Sequence, residues 1–161
     1  HGVFRRQRQM CIRDSSWRTT FIVGFPTETD QDFEELVDFV SEGHFQHLGI
    51  FLYSDEDNIR SSKFGDPIPL SLKEERKNRL MEIQQKISRE HHQKMVGSLQ
   101  QVLVGGFSSE TDLLLEGRNQ FQGPEVDGVV YINEGNATSA GFHQVEITEA
   151  HEYDLVGKIL N

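Results

Sequence analysis

The chain has almost no cysteine and no long apolar run. Cys11 is the single cysteine among 161 residues, so no internal disulfide can form and a cytoplasmic location is expected. No apolar stretch approaches the ~18 residues of a membrane-spanning helix, and none follows the amino-terminal arginines as in a signal peptide. Phosphate-binding loops, paired cysteines and serine–histidine–aspartate arrangements are also missing. We therefore expect no self-sufficient catalytic residue set and no metal site.

Basic residues are scarce in the carboxyl-terminal part of the chain. From Gly97 to Asn161 there are ten carboxylates and two bases, Arg118 and Lys158, so this part carries −8 of the formal charge of −10. An acidic surface repels phosphate backbones and attracts basic partners. The composition therefore predicts a basic protein partner and disfavours nucleic acid.

The first fifteen residues differ from the rest. They carry four arginines against one aspartate and show no hydrophobic period. Their string QMCIRDS resembles translated sequencing-adaptor read-through, so we interpret residues 1–15 as a non-native segment. The alternative is a basic arm that binds nucleic acid.

Residues 16–93 are predicted to form an α/β unit. The short β-branched and aromatic runs 18–25 (RTTFIVGF) and 47–53 (HLGIFLY) are typical of buried strands. Between them, Thr27 or Thr29 can cap a helix with one apolar face. That face carries Phe33, Leu36, Val37 and Val40. Because a helix links them, the two strands should be parallel.

A second helix is predicted from Ser71 to about Met95. Ser71 and Glu74 have the spacing of a capping box. A narrow apolar stripe follows, made of Leu72, Leu80, Ile83 and Ile87. The helix should end before Gly97, which sets the boundary between two small domains near residue 94.

Residues 94–161 are predicted to form an all-β domain. Short strands are separated by glycine-containing turns. The strands are expected near 99–104, 111–117, 128–132, 142–147 and 152–159. Five short strands in about 65 residues predict a small closed or half-open barrel similar to the oligonucleotide-binding fold.

The turn Gly24–Glu28 joins the carboxyl end of a strand to the start of a helix. Ligands gather at such places in α/β folds, where helix amides can meet an anion. The simpler interpretation is a turn and cap, with Glu28 serving the helix dipole.

Arg118 is one of the two bases in the acidic domain. We favour a structural salt bridge with Glu125 or Asp127 over contact with a partner.

The histidines are predicted to be surface residues. Adjacent His91 and His92 point about 100° apart on a helix and cannot easily bind one metal. The same surface role is favoured for His44 and His47.

These segments together resemble the methylthiotransferases, which are radical S-adenosylmethionine enzymes with a carboxyl-terminal TRAM domain. The resemblance runs over about residues 18–160. It is carried by RTTFIVGFPTETDQDFEELVDFV, LGIFLYS, a KEER-containing helix with LMEIQQKIS, and then GR, PEVDGVVYI and HEYDLVG. The chain departs from the family pattern at Thr27, which is usually glycine, at His151, which replaces an acid, and in the loop 135–141.

The resemblance implies a fold and a cofactor site. The α/β unit would be the last part of a partial radical barrel, followed by a linking helix and the TRAM domain. The residues implied to line the adenine side of S-adenosylmethionine are Ile22, Val23, Gly24 and Phe25. The family also uses two 4Fe-4S clusters, the first of which splits S-adenosylmethionine into a radical. The cluster cysteines lie upstream in the family, so we expect this chain by itself to be inactive.

Two branches of the family compete. One modifies an adenosine of transfer RNA, and the other places a methylthio group on the β-carbon of an aspartate in small-subunit ribosomal protein S-twelve. PEVDGVVYI and HEYDLVG resemble the second branch, and the acidic charge suits a basic ribosomal protein as partner. The implied docking residues are Glu116, Arg118, Glu125, Asp127, Glu152 and Asp154. The alternatives are part of a transfer-RNA enzyme and a free-standing binding module.

Overall fold

The computed structural model describes residues 16–56, 60–135 and 140–160. The segment 1–15, for which we predict a non-native origin, lies outside these ranges, as do residues 136–139 of the loop that departs from the family pattern. The described residues form an α/β part and a closed β-barrel. None of the described helices is long and apolar enough to cross a membrane.

The α/β part is built on two parallel strands. β1 (Arg18–Val23) pairs with β2 (His47–Leu52) in register from the first residue of each strand to the last. The helix α1 (Asp30–Ser41) connects them. The parallel βαβ unit predicted from the sequence is therefore present.

The helix α1 begins with a capping box at Thr29. The Thr29 hydroxyl accepts a hydrogen bond from the Asp32 amide (3.2 Å), and the Asp32 carboxylate accepts one from the Thr29 amide (2.9 Å). The Thr29 hydroxyl also donates to the Asp32 carboxylate (2.7 Å), and this bond, together with the weaker effect of the bond from the Thr29 amide, lowers the pKa of Asp32. Of the two predicted caps, Thr29 is therefore the one used, and Thr27 is exposed before the helix.

One face of the two-stranded sheet is covered by helices and the other is bare. The covered face carries the core of this part. Its buried members are Val23, Phe33, Val37, Val40, Ile50 and Leu80. Alternation along the strands turns Ile22 and Phe51 the other way, where they lie opposite each other and are 57% and 64% exposed. Ile22 and Phe51 therefore form an exposed apolar surface on this face of the sheet.

The long helix α2 spans Leu70–Gln93 and begins differently from the prediction. Pro69 occupies the cap position, and no side chain caps the first amides. Proline preceding Leu70 starts the helix one residue before Ser71, so Ser71 does not act as the cap and the predicted box with Glu74 is wrong.

The most buried face of α2 is polar, contrary to the predicted apolar stripe. Leu72, Ile83 and Ile87 are only half-buried. Apart from Leu80, the buried positions form the α2 polar face, which consists of Lys73, Arg76, Gln84, Ser88 and His92. These positions recur every three or four residues, a signal that was present in the sequence but was hidden by its polarity.

Each side chain of the α2 polar face has a partner outside the helix. The Lys73 ammonium donates to the carbonyl of Tyr53 (2.8 Å) and pairs with Asp66. The Gln84 amide donates to the carbonyls of Phe45 (3.2 Å) and Gln46 (3.0 Å). Toward the carboxyl end, the partners come from the barrel. Ser88 donates to the carbonyl of Glu152 (2.8 Å), and the His92 ring bonds the carbonyl of His151 (3.1 Å).

Five strands close into the predicted barrel, in the order β3-β4-β5-β7-β6. They are β3 (Leu99–Phe107), β4 (Leu115–Arg118), β5 (Val130–Glu134), β6 (Gly141–Ala150) and β7 (Leu155–Ile159). Inward-facing aliphatic side chains fill the interior. They are Val102, Val104, Val130, Ile132, Val145, Ile147, Leu155 and Ile159.

The boundaries of β4 differ most from the prediction of a strand over 111–117. Side chains of Ser108 and Thr111 accept hydrogen bonds from the amides of Glu110 (3.2 Å) and Leu113 (3.2 Å). Such local bonds favour a turn over a strand. The strand therefore begins only at Leu115.

Replacing the cap residue tests the start of α1. Thr29→Ala should lower the free energy of unfolding by about 1 kcal/mol, because the Asp32 amide loses its acceptor. Urea unfolding followed by the fluorescence of Trp17, the one tryptophan of the chain, measures this. The matched control is Thr27→Ala, which should change the free energy by less than about 0.5 kcal/mol. Equal losses for the two variants would contradict the assigned cap.

Candidate functional site

The turn that follows β1 is held by glycine. Gly24 has a left-handed φ of 78°, and a Cβ placed on it would stand 2.4 Å from Cγ of Lys73. Its amide donates to both oxygens of the Glu28 carboxylate, at 3.1 Å each. Position 24 therefore needs glycine for its conformation and for the close approach of α2.

Glu28 closes this turn instead of only serving the helix dipole. Its carboxylate pairs with the guanidinium of Arg76, which is nearly completely buried and also donates to Asp30. The Arg76 guanidinium further lies 5.2 Å from the centre of the Phe33 ring. The Gly24 amide is thus occupied by a carboxylate of the same chain.

The four residues implied to line S-adenosylmethionine do not share one surface. The Ile22 side chain is exposed on the bare face of the sheet, whereas the Val23 side chain is fully buried against the helices. Alternation along the strand turns the Val23 side chain inward, to the face opposite to that of Ile22, and the implied cofactor role of Val23 stays a prediction. Phe25 packs edge-on against Tyr53 and Phe64, with ring centres 5.3 and 6.3 Å apart.

An open groove lies on the barrel and contains four of the six predicted docking residues. We call it the β4 groove, and its volume is about 520 Å³. The four are Glu116 and Arg118 on β4, and Glu125 and Asp127 in the following loop. Glu125 has a φ of 61° and is the one non-glycine residue with positive φ in the described ranges. Unfavourable backbone of this kind is concentrated at functional sites.

Arg118 does not form the salt bridge that we favoured. It lies exposed on β4, and the described part of the chain shows no ion pair between it and Glu125 or Asp127. The other base of the barrel, Lys158, pairs with Glu146 at 3.2 Å. Arg118 therefore presents its guanidinium in the β4 groove.

Asp127 and the two predicted docking residues outside the groove, Glu152 and Asp154, make contacts within the chain. Asp154 accepts from the Val129 amide (2.8 Å), and Glu152 accepts from the Gln85 side chain (2.6 Å). The Asp127 side chain is only 6% exposed. These carboxylates contribute to the negative charge of the domain, but they already have partners within the chain and are less available to a docking protein.

Asp127 joins the barrel to the α/β part. One of its oxygens pairs with the Arg18 guanidinium, and the other lies 3.1 Å from Nδ1 of His47. We call these three residues the Asp127 cluster. The predicted partner Arg118 is thus replaced by Arg18, which lies 109 positions away along the sequence. No local pattern in the sequence could have indicated this pairing.

Two histidines predicted to be surface residues lie between the two parts. His92 is 7% exposed, and His47 bonds the carbonyl of Phe121 through Nε2 (2.9 Å). Burial lowers the pKa of His47, and this outweighs the opposing attraction of Asp127. Burial also lowers the pKa of His91. His44 makes local contacts, with the Glu42 carboxylate at 2.5 Å and with the rings of Phe39 and Phe45.

Comparisons with known proteins agree with this division of the chain. Residues 96–160 match the model of the TRAM domain family. The whole chain is 44% identical over 159 residues to ribosomal protein uS12 methylthiotransferase RimO of Syntrophotalea carbinolica, covering 99% of this chain and 35% of that protein.

Two further relatives carry the same name. The RimO protein of Aquifex aeolicus is 45% identical over 148 residues, which are 91% of this chain and 34% of the relative. That of Bdellovibrio bacteriovorus is 50% identical over 143 residues, or 89% and 31%. The chain therefore spans about a third of the length of the curated relatives it matches.

The buried position of His47 predicts a pH dependence of stability. Its pKa is below 6.5 in the folded chain and near 6.5 in the unfolded chain, so the unfolded state binds the proton first as the pH falls. The free energy of unfolding should therefore decrease between about pH 7.5 and pH 5.5, and decrease less in His47→Gln. Urea unfolding at the two pH values measures the difference.

His44→Gln is the matched control for this experiment. His44 precedes the same strand but contacts residues close to it in the sequence, Glu42, Phe39 and Phe45, and not the barrel, so the control should keep the pH dependence of the unchanged chain. Identical behaviour of His47→Gln and the unchanged chain would show that His47 does not contribute.

Proposed function

Because residues 96–160 are a TRAM domain and nearly the whole chain corresponds in sequence to the carboxyl-terminal third of the ribosomal protein uS12 methylthiotransferases, we propose that it forms this third of such an enzyme. The reaction is the transfer of a methylthio group to the β-carbon of an aspartate in uS12, the S-twelve protein of the small ribosomal subunit. The part described here contributes substrate docking, and the chemistry is carried elsewhere in the longer enzyme.

The observation that carries the docking role is the charged, open β4 groove on an acidic barrel. The region from Gly97 onward has a charge of −8, and of its two bases only Lys158 pairs with a barrel carboxylate. A basic protein gains favourable electrostatic interaction with such a surface, which speeds its approach and selects its orientation. We place the uS12 contact at Glu116, Arg118 and Glu125.

The implied cofactors fit this chain to different degrees. A 4Fe-4S cluster is held by several cysteine thiolates, and a chain with one cysteine cannot supply them. Among the described residues no group of three potential ligands approaches a metal-binding arrangement either. No step of the reaction is therefore assigned to a cluster on this chain.

The site for S-adenosylmethionine is reduced to fewer residues than the resemblance implies. Ile22 offers exposed apolar surface near the carboxyl end of β1, where α/β barrels carry their active sites. The Gly24 turn follows directly and brings Phe25 alongside. We propose that Ile22 and Phe25 border the adenine side, with Gly24 forming the tight turn between them. When bound, S-adenosylmethionine supplies the methyl group and the radical chemistry of the family.

Modification of transfer RNA is the second candidate activity. A TRAM domain that grips RNA benefits from basic residues that displace counterions from the phosphates. The barrel described here has the opposite charge, which favours the protein substrate.

Direct binding measurements distinguish the two substrates. The purified chain should bind uS12 at physiological ionic strength, and the affinity should fall as salt is added because the contact is between opposite charges. Transfer RNA under the same conditions should not bind. Binding of transfer RNA without binding of uS12 would overturn the proposed substrate.

A charge reversal in the β4 groove locates the contact. Glu125→Lys should weaken uS12 binding roughly ten-fold, which corresponds to about 1.4 kcal/mol. Glu149→Lys is the matched control, since it makes the same charge change at an exposed position of β6 outside the groove. It should weaken binding less than about three-fold, because exposed charges interact weakly at a distance. Equal effects of the two variants would show that only the total charge matters and would exclude the β4 groove as the uS12 contact site.

A further inference from the structure

We propose that Asp127 is a positioning residue that fixes the TRAM barrel, and with it the β4 groove, in one orientation relative to the radical barrel. This inference rests on the proposed function for its consequence in catalysis, but the orientation itself is a property of this chain. It reassigns Asp127 from substrate docking to an internal contact.

Three groups from different parts of the fold contact the Asp127 carboxylate. Its Oδ2 atom accepts from the Gly123 amide at 2.6 Å and pairs with Arg18, while Oδ1 lies 3.1 Å from the His47 ring. The side chain is 6% exposed, and the Arg18 side chain is 43% exposed. A carboxylate buried to this extent is stable only while its cationic and amide partners stay in place.

Arg18 and His47 occupy equivalent places in the α/β part. They are the first residues of β1 and β2 and lie opposite each other in the parallel register. One carboxylate of the barrel therefore holds the amino-terminal ends of both strands. The Gly24 turn, where we place the cofactor side, lies at the other end of β1.

The loop that carries Asp127 also forms part of the β4 groove. Gly123, Pro124 and Glu125 border the groove just before Asp127. A Cβ on the next residue, Gly128, would stand 1.9 Å from the Tyr153 carbonyl oxygen, so the loop packs directly on the barrel. Moving Asp127 therefore moves the groove, and fixing Asp127 fixes the groove.

The first test measures orientation in the 161-residue chain. Residual dipolar couplings of backbone amides give one alignment tensor for each part, from residues 18–93 and from 99–160. The tensors should agree in the unchanged chain and diverge in Asp127→Asn, which keeps the size of the side chain but removes its charge. Arg18→Gln should have the same effect, and the double variant should add nothing further, because both changes break one contact.

The control for orientation is Glu149→Gln. Glu149 is an exposed carboxylate of the barrel that lies outside the Asp127 cluster, so its removal should leave the tensors in agreement. The amide shifts of the barrel core should be preserved in every variant. Divergent tensors in the unchanged chain, a single tensor in Asp127→Asn, or divergence in the control would each overturn the proposal.

The second test uses the methylthiotransferase that contains this region. Asp127→Asn should lower kcat at least about ten-fold at saturating uS12, because small misplacements of a substrate are costly. KM for uS12 should change little, since Glu116, Arg118 and Glu125, where we place the uS12 contact, are unchanged. A variant that raises KM with kcat unchanged would assign Asp127 to docking and overturn the positioning role. If the unchanged chain does not bind uS12, the proposed function is refuted. The result on orientation is not affected by that outcome.

Discussion

The arrangement of the described residues depends on the satisfaction of the buried polar side chains of α2. Near its start, Arg76 is neutralised by Glu28, and that pair also closes the turn after β1. Near its end, Ser88 and His92 bond carbonyls of the barrel. Removing one partner of a buried ion pair costs about 3–5 kcal/mol, whereas the intact pair contributes little net stability. Such contacts therefore mainly determine where α2 lies in the fold, because only one placement of the helix satisfies them all.

The sequence predicted the elements better than their contacts. Parallel pairing, a cap at Thr27 or Thr29 and a five-stranded barrel were predicted from short patterns in the sequence, and the structure confirms the pairing, the barrel and a cap at Thr29. The start of α2 and of β4 was wrong because Pro69 and the Ser108 and Thr111 side chains compete locally with the expected pattern. Pairings across the fold, such as Arg18 with Asp127, leave no trace in spacing or periodicity and needed coordinates.

The net charge of the barrel does not show which of its carboxylates are available to a partner. Ten carboxylates indicated a basic partner, but the predicted docking residues divide into two groups. Asp127, Glu152 and Asp154 are engaged within the chain, although Asp127 also lines the open groove, while Glu116 and Glu125 border this groove with Arg118. The groove contains both negative and positive side chains, so it should bind fewer kinds of partner than a purely acidic surface would. A partner must offer a matching pattern of charges and not merely a positive charge.

The length of the parallel strands β1 and β2 sets the distance between the Asp127 cluster and the Gly24 turn. Asp127 and the neighbouring groove belong to the amino-terminal end of these strands, whereas the Gly24 turn follows the carboxyl-terminal end of β1. Six residues of parallel strand separate the two ends by about 20 Å. An extended peptide covers that distance with about six residues. A partner that contacts both the Asp127 end and the Gly24 end of β1 must therefore span about 20 Å.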